Sequence, residues 1–261
     1  MLPQLIPLFP SDITTFVDLF GGSFSVGMNV KAEYVVYNDI CRPVVELIEN
    51  FYNYDSGFVH QEILNATTKW NLNRSNKSLS DSELKANYIE LRKFYNKHPN
   101  WILFYTLVSC SFSNQIRFNS KNEFNMPYGA RYYNPSLQVK LQKFVGEIKK
   151  KRIQLWNKDF RNCEFWDDSF VYCDPPYYNS TAPYNENGGW SEQDEKDLLN
   201  CLDNIDKHGR FALSNNLKYN NPLLECWMEK YKVNYLQGDY SNCNYHKKNR
   251  GGDMEVLITN Y

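Results

Sequence analysis

The sequence at residues 170–177 is Phe-Val-Tyr-Cys-Asp-Pro-Pro-Tyr. Four apolar residues followed by a turn signal predict a short buried strand. The acid that comes next, Asp174, would stand at the C-terminal end of this strand, where open α/β sheets bind their ligands. Two prolines then fix the backbone and remove two N–H donors. The stretch therefore predicts an α/β sheet with a functional group at Asp174.

The residue types in this stretch suit the binding of a planar amino group. Asp174 offers a carboxylate, Pro175 and Pro176 offer rigid carbonyl acceptors, and Tyr177 offers an aromatic face. The amino nitrogen of adenine is a poor nucleophile because its lone pair is delocalised into the ring. Acceptors for both N–H bonds would draw this nitrogen toward tetrahedral geometry and face the positive charge that develops as it attacks an electrophilic methyl group. Tyr177 would stack on a base turned out of its duplex.

Two other interpretations stay open from these residues alone. Asp and Pro are common in plain turns between a strand and a loop. Residues 175–178 (Pro-Pro-Tyr-Tyr) also fit a proline-rich peptide motif that WW domains bind. Such peptides lie in exposed polar tails, whereas this segment follows an apolar strand.

Length and composition indicate one large domain, or one domain that carries an insertion. The chain has 261 residues and 42% hydrophobic content. No run of about 18 apolar residues predicts a membrane span, and the first ten residues lack the features of a signal peptide. The seven cysteines are scattered, without a Cys-x-x-Cys pair. This pattern argues against disulfides and a zinc site and favours a reducing cytoplasm, so we expect no metal. Without a predicted membrane span, we also expect no membrane partner.

The charge is distributed unevenly along the chain. The net charge is −1, but residues 66–152 hold 16 Lys/Arg and 5 Asp/Glu, a net of +11, and the remaining residues sum to −12. Charged runs usually form a solvated helical face. A surplus this large in one contiguous third favours a polyanionic partner, and an aromatic content of 16% adds stacking surface.

A second motif lies near the N-terminus. Residues 16–27 (Phe-Val-Asp-Leu-Phe-Gly-Gly-Ser-Phe-Ser-Val-Gly) predict a strand, a glycine-rich turn and a helix, and Gly21 and Gly22 would let the backbone approach a ligand closely. Residues 34–39 predict another strand that ends in Asp39, 21 residues after Asp18, as a ribose-binding carboxylate requires. The strict Gly-x-Gly-x-x-Gly spacing is absent, which favours S-adenosylmethionine over a nicotinamide cofactor.

The basic third predicts an inserted helical subdomain. Residues 58–105 have helical periodicity, with Ser80 as a helix cap. Residues 112–131 form two polar, aromatic segments that predict a β-hairpin or a long loop. Arginine on such a hairpin can bond a guanine edge bidentately, and phenylalanine can wedge between base pairs. An ordinary hairpin with one surface arginine is the alternative.

The remaining segments give further expectations. Residues 138–152 predict a basic helix, which would contact phosphates or end in solvent. Asp159 would accept a hydrogen bond from the cofactor's adenine or cap a helix. Residues 179–189 have the composition of a lid that orders on DNA, and residues 245–250 are a second candidate DNA contact. Residues 190–202 predict a helix, and residues 210–216 and 254–261 predict strands.

These segments, in this order, resemble the DNA adenine methyltransferase (Dam) family, most closely its T-even phage members. The matching segments cover nearly the whole chain: 16–22, 38–40, 112–117, 124–129, 158–159, 170–177, 190–200 and 213–215. The resemblance implies a Rossmann-like α/β sheet of the S-adenosylmethionine-dependent methyltransferases (residues 1–56 and 153–261). It implies an inserted, mostly helical target-recognition domain with a β-hairpin (residues 57–152).

The resemblance also implies an activity and a set of residues. The enzyme would methylate N6 of a flipped-out adenine in GATC in double-stranded DNA, within a restriction-modification setting in a bacterium or a phage-infected host cytoplasm. The cofactor would contact Asp18, Phe20, Gly21, Gly22, Ser23, Asp39, Asp159 and Phe160. Catalysis would fall to Asp174, Pro175, Pro176 and Tyr177. DNA would contact Phe112 as a wedge, together with Ser113, Asn114, Gln115, Arg117, Asn119, Pro127 and Arg131.

Two other hypotheses stay open, and one of them follows from a departure from the family pattern. Family members usually carry an aromatic-x-Gly-x-Lys segment just before the Leu-Pro-x-Leu with which this sequence starts at Leu2. A catalytically impaired DNA-binding homologue that lacks this cofactor segment is therefore the alternative. A methyltransferase for glutamine amides or RNA is the third hypothesis. That class typically has Asn in place of Asp174, and it would not explain the basic insert.

Overall fold

The structure is a computed structural model, which describes residues 1–74, 79–180, 189–237 and 254–261. The chain forms two compact units. The first, here the sheet unit, comprises Met1–Ile40 and Lys151–Tyr261, and the second, the helical unit, comprises Cys41–Lys150. The predicted strands fall in the sheet unit and the basic third falls almost wholly in the helical unit.

In the part of the chain that the structure describes, the sheet unit is built on a seven-stranded, mostly parallel sheet. Its strands are β1 (Thr15–Asp18), β2 (Tyr34–Asn38), β3 (Arg152–Trp156), β4 (Phe170–Cys173), β5 (Arg210–Asn216), β6 (Lys232–Gln237) and β7 (Met254–Thr259). Their order is β3-β2-β1-β4-β5-β7-β6, and among these described strands β7 runs in the direction opposite to the other six. The strand order reverses between β1 and β4, which is where open α/β sheets leave a crevice for ligands. The observed mixed α/β fold is consistent with the predicted Rossmann-like methyltransferase sheet.

Nine α-helices lie within the described ranges. They are α1 (Leu2–Leu5), α2 (Ser25–Asn29), α3 (Arg42–Asn53), α4 (Ser56–Lys69), α5 (Asp81–Lys97), α6 (Trp101–Cys110), α7 (Pro135–Ile148), α8 (Glu192–Ile205) and α9 (Pro222–Met228). None of these helices is both long and apolar enough to cross a bilayer.

The two faces of the sheet bury different side chains. On one face, Val171 and Leu213 join an aliphatic core to which α8 contributes Leu198 and Leu202. On the other face, Phe9, Phe16, Phe170 and Tyr172 form an aromatic cluster with ring centroids 5.0–6.3 Å apart. Because β4 is buried along its whole length, both faces fix the position at which it delivers Asp174.

The helical unit has its own core, which involves α3 to α7. Leu107 from the apolar helix α6 packs there with Ile63, Tyr88 and Leu91. Ser80 caps α5 with a complete capping box, in which Glu83 bonds back to the Ser80 N–H, as the Ser-x-x-Glu spacing predicts. The two compact units divide at Cys41, since α3 contributes Val44, Leu47 and Phe51 to this core. A recognition domain at residues 57–152 stays a prediction.

Two predictions need correction. The segment 112–131 is the long loop, one of its two predicted alternatives, and the β-hairpin that the resemblance implies does not form as continuous strands. Two isolated antiparallel bridges join Ser111 to Tyr128 and Phe118 to Phe124. Left-handed backbone at Ser113, Asn114, Asn122 and Ala130 interrupts strand pairing. The predicted basic helix ends at Ile148, so Lys149 to Lys151 lie beyond it and Arg152 begins β3.

Candidate active site

The glycine turn that follows β1 is fastened to the end of β2. The Gly21 N–H donates to the carbonyl of Asn38 at 2.7 Å, and the Gly22 N–H donates to Oδ2 of Asp39 at 2.9 Å. The Tyr37 hydroxyl donates to the Gly22 carbonyl at 2.8 Å. Gly22 has φ of +47°, a left-handed conformation that favours glycine. The two predicted cofactor elements are therefore one connected structure.

Gly21 meets a steric requirement as well. A Cβ atom at this position would lie 2.2 Å from Cε2 of Tyr37, and the Tyr37 ring is fully buried against Phe24 with centroids 4.9 Å apart. Only glycine fits without displacing the ring. The turn is glycine-rich partly because the neighbouring strand fills the space behind it.

Asp18 lies at the end of β1, almost completely buried at 2% exposure. Its Oδ2 accepts a hydrogen bond of 3.0 Å from the Gly27 N–H in α2. Burial raises the pKa of Asp18 to about 8; the Gly27 N–H opposes the shift, and the negative charges of Asp174 and Asp39 add to it. A cation at this edge of the sheet would relieve the repulsion among these acids.

Asn38 was not among the predicted site residues, yet it joins three segments at this edge. Its Nδ2 donates to the carbonyls of Leu19 (3.0 Å) and Lys158 (3.1 Å). Its Oδ1 accepts from the Lys158 N–H at 3.1 Å. Its position directly before Asp39 at a strand end was the available signal.

Three aromatic rings form a cluster beside the glycine turn. The centroids of Phe20, Phe160 and Trp190 lie 5.6–5.7 Å from one another. Phe20 and Phe160 were predicted to contact the cofactor, and Trp190 was not. Ser23, another predicted cofactor residue, is exposed and shares a 2.7 Å hydrogen bond with the Ser25 hydroxyl.

Asp159 adopts the helix-capping role that was one of its two interpretations. It precedes the 3₁₀ turn Phe160–Asn162, and its Oδ1 accepts from the Arg161 N–H at 2.9 Å. The Arg161 guanidinium pairs with Asp159 (3.1 Å), with Asp197 (2.6 Å) and with Asp194. It also lies 4.5 Å from the centroid of the Phe160 ring. These contacts hold Phe160 in place, and a contact of Asp159 with a cofactor stays a prediction.

The catalytic candidates follow β4, on the other side of β1 from Asp39. Asp174 is solvent-accessible, Pro175 is buried, and Pro176 and Tyr177 are half-buried. The Tyr177 hydroxyl lies 3.3 Å from Oδ1 of Asp174. The protein packed around Asp174 raises its pKa to about 6 by displacing water, the charge of Glu255 adds to this rise, and the Tyr177 hydroxyl opposes it.

Three polar residues beyond β4 also reach this edge, and sequence reasoning gave none of them a role. Glu255 of β7 is 3% exposed, and its Oε1 accepts from Nδ2 of Asn216 at 2.7 Å. Its Oε2 lies 3.4 Å from the Tyr177 hydroxyl. Asn215, also at the end of β5, is buried, and its Nδ2 has no hydrogen-bond partner within the described ranges.

In the helical unit, the predicted wedge Phe112 is 38% exposed and its backbone is firmly held. The Phe112 N–H donates to the carbonyl of Pro127, and the Gly129 N–H donates to the carbonyl of Cys110, both at 2.9 Å. A Cβ atom on Gly129 would lie 2.3 Å from the Ser111 carbonyl oxygen, so glycine permits this close approach.

Arg117 is half-buried and engaged with the loop. Its Nε donates to Oδ1 of Asn125 at 2.9 Å, and its Nη2 donates to the Asn125 carbonyl at 3.1 Å. Arg92 also donates to this backbone, at the carbonyls of Asn125 (3.3 Å) and Met126 (3.0 Å). In this structure Arg117 therefore supports the loop, and its base-reading role stays a prediction.

The other predicted DNA residues share the same loop. Asn114 donates to the carbonyls of Val108 and Ser109 at the end of α6 and accepts from Arg131 at 3.1 Å. Asn119 accepts from the N–H groups of Lys121 and Glu123, closing a tight turn. Ser113 and Gln115 are half-buried, whereas Pro127 and Arg131 are exposed. The lid at 179–189 lies mostly outside the described residues, and the contact at 245–250 lies entirely outside them.

Comparison with known proteins gives consistent matches. Residues 1–242 match the family model described as "D12 class N6 adenine-specific DNA methyltransferase". The chain is 38% identical to the type II methyltransferase M.FokI of Planomicrobium okeanokoites and 34% identical to the modification methylase StsI of Streptococcus sanguinis. Each alignment covers 100% of this chain and 41% of the relative, so the chain spans about two fifths of their length. A DNA adenine methylase of Vibrio cholerae serotype O1 is 25% identical over 66% of this chain and 60% of its own length.

Proposed function

The chain belongs to the D12 class of N6 adenine-specific DNA methyltransferases, and from this premise we propose the reaction that it catalyses. Its substrates are S-adenosylmethionine and an adenine that is flipped out of double-stranded DNA. The product is N6-methyladenine within a short target, for which the sequence resemblance suggests GATC. The named relatives are methyltransferases or methylases of bacteria; they lend no support to the impaired alternative, and a particular closeness to phage enzymes stays a prediction.

One observation carries this proposal: the cofactor candidates and the catalytic candidates stand at the same edge of one sheet, on either side of its switch point. Asp18 ends β1, Asp39 follows β2, and Asp174 follows β4. β1 pairs with both of the other strands. This arrangement would bring a ligand on the glycine turn next to a group held by Asp174.

The residues present fit S-adenosylmethionine. Two partly or fully buried acids, Asp18 and Asp39, suit a ligand that carries an ammonium and a sulfonium charge. The aromatic cluster of Phe20, Phe160 and Trp190 would pack against its adenine ring, and Asp39 would accept from its ribose hydroxyls. The Nδ2 of Asn215, which has no partner among the described residues, would donate to an acceptor on one of the two substrates. When bound, the cofactor supplies an electrophilic methyl group on sulfur.

The catalytic residues would then act on the amino group alone. Asp174 and a carbonyl of the Pro175–Pro176 pair would accept its two N–H bonds, and Tyr177 would stack on the base. This geometry concentrates the nitrogen lone pair on the side away from the acceptors. The helical unit, with its surplus of basic residues, would hold the phosphates, and Phe112 would fill the space that the flipped base leaves.

The activity and its target sequence can be tested in one experiment. The purified chain is incubated with S-adenosylmethionine labelled in the methyl group and a library of randomised duplexes. N6-methyladenine is identified by mass spectrometry, and the methylated sequences are read by sequencing. We expect N6-methyladenine with enrichment of GATC. Methylation of cytosine, of RNA only, or of no substrate would overturn the proposed activity. A different enriched sequence would overturn only the assignment of GATC.

A matched control separates this activity from a contaminating methylase. The Asp174→Asn variant keeps the shape of the side chain and removes its charge. It should bind labelled cofactor like the wild type and form methyladenine much more slowly, which a contaminating methylase would not do. The relatives named as type II or modification methylases further suggest a restriction-modification setting. Protection of the methylated target from a partner nuclease would test that setting.

A further inference from the structure

A second carboxylate stands beside Asp174 and is built into the sheet. Glu255 lies on β7, directly opposite Asn216 of β5 in the antiparallel register. The 2.7 Å hydrogen bond from Asn216 Nδ2 to Glu255 Oε1 is buried and joins the two strands through their side chains. Two strands therefore fix the position of this carboxylate.

The Tyr177 hydroxyl connects Glu255 to the catalytic segment. It lies 3.3 Å from Oδ1 of Asp174 and 3.4 Å from Oε2 of Glu255. A phenolic hydroxyl has a single proton to donate, so these two carboxylates compete for it. The carboxylate that accepts the hydrogen bond from Tyr177 becomes a weaker acceptor for any other donor.

We propose that Glu255 is a positioning residue for methyl transfer. It draws the Tyr177 hydroxyl away from Asp174, and so leaves Asp174 to accept the N–H bonds of the adenine amino group and the proton that this nitrogen must lose. The inference rests on the proposed function and extends it to a residue outside the Asp-Pro-Pro-Tyr segment.

The chemical step balances with these groups. The amino nitrogen forms a bond to the methyl carbon, the carbon–sulfur bond breaks, and its electron pair stays on sulfur. The nitrogen then carries one proton too many. That proton passes to an oxygen of Asp174 and afterwards to water, which returns the carboxylate to its ionised form.

The surroundings of Asp174 support this role. Glu255 of β7 and Tyr177 of its own loop act on the Asp174 carboxyl, and Asp174 in turn raises the pKa of Asp18 at the end of β1 and of Tyr172 and Cys173 in β4. The protein packed around Asp174 and the Glu255 charge together raise its pKa to about 6. A carboxylate with a raised pKa is still ionised at neutral pH and is a stronger proton acceptor than an ordinary aspartate.

The variant Glu255→Gln tests this inference because it keeps an oxygen for Asn216 and removes both the charge and the second oxygen, which faces the Tyr177 hydroxyl. In the free protein, the Asp174 carboxyl is titrated by NMR with ¹³C-labelled aspartate, and its signal is assigned by its loss in Asp174→Asn. We expect the midpoint to move downward in Glu255→Gln. It should move upward in Tyr177→Phe, since the tyrosine hydroxyl lowers the pKa of Asp174. An unchanged midpoint in Glu255→Gln overturns the inference even if no methylation is ever detected.

Turnover provides a second readout. The acid limb of the wild-type pH–rate profile should fall near pH 6, the value that the raised Asp174 pKa gives, and in Glu255→Gln it should lie at lower pH. At neutral pH the turnover of Glu255→Gln should be roughly three- to tenfold lower, because a weaker base accepts the proton less readily. A merely structural role would lower the rate equally at every pH without moving the limb. Wild-type methylation in the same assay tests the proposed function separately.

Discussion

Replacing Gly21 by alanine should damage both the stability of the sheet unit and its binding of S-adenosylmethionine. The new methyl group would lie 2.2 Å from Cε2 and 2.4 Å from Cδ2 of Tyr37. Such distances are far inside van der Waals contact, so either the turn or the ring must move. The ring is fully buried and packed on Phe24, which makes a small accommodation difficult.

The expected cost follows from two contributions. Overpacking a well-packed core typically costs about 1–3 kcal/mol. Moving the ring would also weaken the hydrogen bond from the Tyr37 hydroxyl to Gly22, which is worth about 0.5–1.5 kcal/mol. We therefore expect Gly21→Ala to lower the free energy of unfolding by about 2–4 kcal/mol. Because Gly22 and Asp39 move with the turn, the dissociation constant for the cofactor should rise roughly tenfold or more.

Two other glycines provide matched controls in urea denaturation followed by circular dichroism. A Cβ atom on Gly146, in α7, meets nothing within 4 Å, so Gly146→Ala should be neutral or stabilise by up to about 1 kcal/mol. At Gly22 the space is open but φ is +47°, so Gly22→Ala should cost about 1–2 kcal/mol through backbone strain alone. A Gly21→Ala protein as stable as Gly146→Ala, with unchanged cofactor affinity by calorimetry, would refute the steric argument.

Four further substitutions test individual roles. Asp174→Ala should reduce turnover roughly a hundredfold or more, about 3–4 kcal/mol, and leave cofactor and DNA binding largely intact; near-normal turnover would remove it from the mechanism. Asp39→Ala should weaken cofactor binding by about 1.5–3 kcal/mol in calorimetry, and an unchanged dissociation constant would mean that the ribose lies elsewhere. Arg117→Ala should weaken the methylation of the correct target by about 1–3 kcal/mol and that of single-base variants much less. Equal losses in methylation on all sequences, with a shallower salt dependence, would indicate a phosphate contact. The free energy of unfolding of the wild type should fall as pH rises from 3.8 to about 8, because buried Asp18 keeps a proton in the folded state that the unfolded state releases. The Asp18→Asn substitution should flatten this decline. Curves of unfolding free energy against pH that run parallel for the two proteins would contradict this reasoning.

The elements that could be predicted are those with local signals. Parallel strands deliver their C-terminal residues to one edge, so Asp18, Asp39 and Asp174 could be placed together from strand patterns alone. The capping box at Ser80 followed from a four-residue motif. Strand β6, by contrast, has the polar sequence Lys-Val-Asn-Tyr-Leu-Gln and was not predicted. Its pairing with β7 stabilises it as a strand, although its composition gives no strand signal.

The residues that could not be predicted depend on contacts between distant segments. Glu255 reaches Asp174 only because β7 pairs antiparallel with β5 in a register that places Glu255 opposite Asn216, and no local pattern fixes such a register. Arg117 was predicted to be exposed on a hairpin, whereas left-handed residues bend that segment into a loop on which its guanidinium is bonded to Asn125. Sequence periodicity cannot reveal which side-chain donors will form hydrogen bonds within the loop.

The insertion of the helical unit between neighbouring strands has a consequence for the order of folding. β2 and β3 pair in parallel from Tyr34 with Arg152 to Asn38 with Trp156, although the whole of Cys41–Lys150 separates them in sequence. Closing a flexible loop of that length costs about 4 kcal/mol in chain entropy. A helical unit that folds first replaces this loop with a compact body and removes most of the penalty. We therefore expect β3 to join the sheet late, and the free edge of β2 to be the surface at which a folding intermediate of this protein aggregates.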